Sequence, residues 1–168
     1  MAYSKAAILA QYEQNMARYP LAKAEVEAFL QDQAEDFCLF MRYLYGHMPA
    51  QDVLSAEVSV IAGFARATLK AAEKLDYVNK IPPEIFFPYV LHHRVNSECL
   101  EDCRGYLLEQ LLPYVAGKTM EQAALAVNYW CYAHATYTPA DDRTLGPLAV
   151  LRRTLGRCGE ESVLAVAA

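Results

Sequence analysis

GRCGEESVLAVA, residues 156–167, decides how the C-terminal part of this chain is read. Gly156 is a helix stop, because glycine adopts the left-handed backbone of a C-terminal cap without strain. Residues 162–167 belong to a following helix, which places Cys158 in that helix's first turn. Backbone N–H groups there have no partner within the helix, so they favour a thiolate and can hydrogen-bond an oxyanion formed beside it. The glycines on either side of Arg157 and Cys158 leave room for a substrate backbone to approach.

Upstream of this stretch, Pro147 is suited to start a short helix running through Leu155 to the stop at Gly156. The loop TYTPADDRTLGP, residues 136–147, precedes it. Thr119 followed by Gln122 is a capping box, and Met120, Ala123, Val127, Trp130, Cys131 and His134 supply the inner face of the helix it opens. Gly117 and Lys118 form the best boundary in the chain, dividing residues 1–117 from 118–168.

The first of these segments reads as helical. Apolar positions from Leu21 to about Tyr45 recur at three and four, which predicts one long amphipathic helix ending near Gly46 and Pro49. A second helix begins after Ser55 and carries Ile61, Phe64, Ala65, Thr68, Leu69, Ala72 and Leu75 on one face. A shorter helix precedes Pro20. Pro82 and Pro83 open a short helix or turn that Pro88 interrupts, and an extended piece follows. Asn96 or Ser97 then caps a helix whose first turn holds Glu98, Glu101 and Asp102; it runs to about Leu112, before Pro113. No strand signal of any length and no internal repeat is present.

With 168 residues, a formal charge of -5 and 55% hydrophobic residues, the composition is that of an ordinary globular protein. The 15 Lys and Arg are scattered, which argues against a nucleic acid or an anionic membrane surface as partner. No run approaches the roughly 18 to 20 apolar residues that cross a bilayer. The start MAYSKAAILAQYEQ holds only a short apolar run, so the chain as given reads as cytoplasmic. Five cysteines, an odd number in a chain of this size, read as reduced thiols. Cys38, Cys103 and Cys131 fall on apolar helix faces, where a thiol is a small buried hydrophobe.

The run Asp142-Arg143-Thr144, Pro147-Leu148 and GRCGEESVLAVAA, with NYWCYAHATYTP upstream, resembles the bacterial transglutaminase-like family of papain-type cysteine enzymes. IFFPYVLHHRVNSE is similar to the helical N-terminal extension of some bacterial members, which widens the likeness to much of residues 82–168. The implied fold is mainly α: a helical N-terminal domain over residues 1–117, then the leading helices of a truncated transglutaminase-like, cysteine-protease-like α+β core over 118–168. The implied mechanism is Cys-His-Asp, with Cys158 attacking an amide carbonyl of a peptide or protein substrate and forming a thioester. In the family the histidine and aspartate follow the cysteine helix on strands, so the expectation is a fragment ending before them. A helix N-terminus contributes about 0.3 to 1 kcal/mol to a neighbouring anion, less than an imidazolium partner would. The fragment alone is therefore expected to be inactive. An apolar patch left by the missing sheet would favour a homodimer through the last helix. The alternative is a helical interaction or scaffold module without chemistry.

Four histidines could in principle replace the missing base: His47, His92, His93 and His134. His134 precedes the cysteine region but reads as structural, because the family takes its base from later in the chain. His92 and His93 read as packed or solvent-facing. The i, i+4 pair Cys99 and Cys103 lacks the spacing of a zinc knuckle, so neither a metal nor another cofactor is expected. Asp141 and Asp142 suit a turn, and Glu160 and Glu161 a helix start, without acid-base or calcium chemistry. Trp130 and Tyr137 are weaker candidates for an aromatic beside the oxyanion, with core packing the default; the twelve tyrosines read as packing residues with a polar tip.

Overall fold

The computed structural model describes residues 3–139 and 144–168, and the chain is mainly α-helical. It divides into two compact units, Met1–Leu69 with Ile81–His93 and Lys70–Lys80 with Arg94–Ala168.

The first unit contains α1 (Lys5–Met16), α2 (Pro20–Leu30), α3 (Glu35–His47), α4 (Ala50–Ser55) and residues 58–69 of α5 (Val58–Lys74). The short α6 (Pro83–Ile85) and a π-helical turn (Phe86–Val90) complete it. Helices α1 and α3 pack face to face. Ile8, Tyr12 and Met16 of α1 and Met41, Leu44 and Tyr45 of α3 are almost fully buried. The backbones approach so closely at Gly46 that a β-carbon there would stand 3.1 Å from the Tyr12 nitrogen. Buried Asn15 closes the C-terminal end of α3, its amide donating to Tyr45 O at 2.7 Å and Met48 O at 3.0 Å. These are carbonyls a helix end would otherwise leave without partners. Arg42 donates to Glu27 at 2.9 Å, and burial together with the facing Glu27 carboxylate pushes the pKa of the Tyr12 hydroxyl up.

The long helix expected from Leu21 to Tyr45 is two helices. Gln31 leaves the helical region with ψ 135°, Asp32 takes a left-handed φ of 62°, and the Gln33 N–H closes the turn on Leu30 O. Aspartate tolerates that conformation better than most residues, so the apolar periodicity continues across a real break. Glu35 and Asp36 then occupy the first turn of α3, where the helix dipole favours them.

The second unit holds residues 70–74 of α5, a 3₁₀ turn (Val78–Lys80), α7 (Arg104–Val115), α8 (Met120–His134), α9 (Pro147–Arg153) and α10 (Cys158–Ala167). A two-residue parallel pair, β1 (Thr136–Tyr137) with β2 (Leu155–Gly156), adds to them. Helix α8 packs on α7 and α10, and α9 packs on α10. Leu107, Leu111 and Val115 of α7, Ala123, Trp130 and Cys131 of α8, Val150 of α9 and Val163 and Leu164 of α10 are buried. The capping box at Thr119 and Gln122 is present. Gly117, with φ 72°, lies between α7 and α8.

Three local expectations change here. Residues 96–103 do not begin a helix; α7 starts at Arg104, and Glu98 and Glu101 bind backbone elsewhere. Helix α7 also continues through Pro113 to Val115, because a proline in the last turn removes only one hydrogen bond, and the Ala116 N–H still reaches Leu112 O. Finally, α9 ends at Thr154, left-handed at φ 57°, and Gly156 joins β2. Sequence periodicity could not show a strand of two residues. On the inner face expected for α8, Ala123, Trp130 and Cys131 are buried, whereas Met120 and His134 are exposed.

Candidate functional site

The turn between α9 and α10 is built from short-range backbone chemistry. Pro147 occupies the first turn of α9, where its missing N–H has no cost. Gly146 precedes it at a close approach: a β-carbon there would lie 2.5 Å from a Glu101 carboxylate oxygen and 2.8 Å from Cys99 O. At the other end of α9, the Thr154 N–H returns to Val150 O at 2.8 Å. The chain then passes through β2, where the Thr136 N–H donates to Thr154 O at 3.0 Å and the Thr138 N–H to Gly156 O at 2.8 Å. This short ladder fixes the direction from which the backbone enters α10.

Cys158 is the first residue of α10, after Arg157 in the N-cap position, and its side chain belongs to an exposed residue. Glu160, 2% exposed, holds this turn together. Its carboxylate accepts the Arg157 N–H at 2.7 Å and the Leu145 N–H at 3.1 Å. The Arg157 guanidinium stands beside it, with Nε at 3.4 Å. Burial alone would raise the pKa of Glu160. The backbone N–H groups of Arg157 and Leu145 and the guanidinium outweigh it, holding the carboxyl below the usual range.

Arginine has no acceptor atom, so the Arg157 side chain caps none of the first-turn amides. Glu160 takes the N-cap donor and leaves the N–H groups of Cys158 and Gly159 without a hydrogen-bond partner among the described residues. Ser162 Oγ donates to Cys158 O at 2.7 Å, which seats the first turn without using those donors.

Asn96 is a neighbour that sequence reasoning assigned only to a helix cap. A β-carbon added at Gly159 would stand 3.6 Å from Asn96 Nδ2, so this amide faces the residue next to the cysteine. Its own oxygen accepts the Ser97 N–H at 2.9 Å. Buried Glu98 fixes that loop, accepting the Val95 N–H at 2.8 Å and the Asn96 N–H at 2.7 Å, while Arg94 donates to the Glu98 carbonyl. Glu101 ties the same region to α9 through the Leu148 N–H at 2.9 Å. The only sequence signal was the polar cluster RVNSE around Asn96, which fits a cap equally well.

The other candidates have settled local partners. His134 stacks on Trp130 with ring centres 4.1 Å apart, and its Nδ1 lies 2.7 Å from Trp130 O, one turn back in its own helix. No hydrogen bond joins it to Cys158 among the described residues. In the first unit, His47 Nδ1 lies 2.9 Å from Tyr43 O, and buried His93 Nε2 lies 3.0 Å from Asp52 Oδ2. The His92 and His93 rings lie 4.9 Å apart, tilted at 54° to each other. Trp130 is buried and Tyr137 exposed.

Cys103 and Cys131 are buried, and burial pushes both thiols up to about 11; Cys99 is exposed and Cys38 half-buried. Among the described residues, no group of three or more His, Cys, Asp or Glu is gathered to hold a metal ion. Asp141 and Asp142 lie outside the described residues. No described helix is long and apolar enough to cross a membrane. Comparison with protein-family models matched none, and neither a curated protein nor a solved structure gave a significant match.

Proposed function

We propose that the chain is the N-terminal portion of a transglutaminase-like cysteine enzyme, with Cys158 as the nucleophile toward an amide of a peptide or protein. Cys158 sulfur adds to the amide carbonyl carbon, and the carbonyl electron pair moves to oxygen. In this reading the N–H groups of Cys158 and Gly159, which have no hydrogen-bond partner among the described residues, stabilise that oxyanion, and the Asn96 amide near Gly159 is a further candidate donor. Collapse of this intermediate breaks the C–N bond, the amine leaves with a proton, and a thioester on Cys158 remains. By analogy with the family that the stretch around Cys158 resembles, the reaction also needs a histidine to carry the proton and an aspartate to orient it.

The observation that carries the proposal is the position of Cys158: exposed and first in its helix, with the N–H groups of Cys158 and Gly159 lacking a hydrogen-bond partner among the described residues. Its test uses Cys99, the other exposed thiol, as an internal control. The protein is incubated with p-nitrophenyl acetate, an activated ester that needs no general acid, and acetylation is read peptide by peptide as hydroxylamine-labile mass. One oxyanion donor is worth about 100-fold or more in a complete site. Even partial stabilisation should acetylate Cys158 about tenfold faster than Cys99. Equal rates would overturn the proposal.

One observation favours a second reading, a helical interaction module. Leu125, Tyr129 and Tyr132 of α8 are 56%, 70% and 81% exposed and lie along one side of that helix. Equal acetylation rates would leave this reading in place.

A further inference from the structure

We draw no further inference here: the strongest candidate, the apolar groove of about 410 Å³ that Ala123 and Val127 of α8 form with Ala165 of α10, is an unpartnered face, and nothing in the structure shows what covers it.

Discussion

Replacing Glu160 by alanine should loosen the second unit at the start of α10. The side chain is 2% exposed and accepts two backbone N–H groups, from Arg157 at 2.7 Å and Leu145 at 3.1 Å. Hydrogen bonds to a charged group contribute about 1.5 to 3 kcal/mol each. Arg157 and Leu145 are only half-buried, so water replaces part of what is lost. The expected cost is about 2 to 4 kcal/mol. Glu160→Gln keeps the shape and one acceptor oxygen but turns an NH2 group toward the second N–H, so it should cost about 1 to 2 kcal/mol.

The pH dependence follows from the depressed carboxyl of Glu160. Its contribution is complete above the unfolded carboxyl pKa near 4.3 and is lost as pH falls through the lower folded value. Hydrogen exchange at Val163 and Leu164, buried in α10, reads the opening of this unit without assuming that both units unfold together. At pH 7 their protection factors should fall about 30- to 900-fold in Glu160→Ala, the equivalent of the stated loss at 1.36 kcal/mol per tenfold. The gap from wild type should shrink at pH 3. Unchanged protection at pH 7, or a gap that stays constant to pH 3, would refute the clamp.

Asp52→Ala should cost about 1 to 3 kcal/mol, because it removes the carboxylate that lies 3.0 Å from buried His93 Nε2; urea unfolding monitored in the first unit would show it, and an unchanged stability would count against it. Gly46→Ala places a methyl 3.1 Å from backbone nitrogen that cannot swing aside, so a loss of about 1 to 3 kcal/mol is expected by the same measurement, and a stabilised variant would be the contrary result. In native protein, iodoacetamide at pH 8 should label Cys99 and Cys158 and spare Cys103 and Cys131 until urea is added; peptide mass spectrometry would expose any early labelling of the buried pair.

Legibility in the sequence varied with the range of the interaction. The helix from Val58, the capping box at Thr119 and the start of α10 were all readable, since each is set by residues within a turn or two of one another. The division between α2 and α3 was not. Leu30, Phe37 and Met41 keep helical spacing through residues 31–34, and only the left-handed Asp32 reveals the turn. Nor was the β1–β2 pair, because two residues cannot show alternation, and their hydrogen bonds join positions about twenty apart in sequence.

The misplaced start of α7 shows why the surroundings of Cys158 were harder to read than its position. A glutamate soon after Asn or Ser reads as a helix first turn because its carboxylate would meet free backbone N–H groups there. Glu98 and Glu101 do meet such groups, but Glu101 finds its donor at Leu148, 47 positions away, and Glu160 reaches 15 positions back to Leu145. The chemical demand is the same in both arrangements. What differs is the partner segment, and a local pattern contains no information about it. Asn96 follows from this: its amide lies beside Gly159 because Glu98 folded the loop instead of starting a helix. The cysteine and its helix start are therefore a local property of residues 156–162, while the amide beside them is a property of the fold.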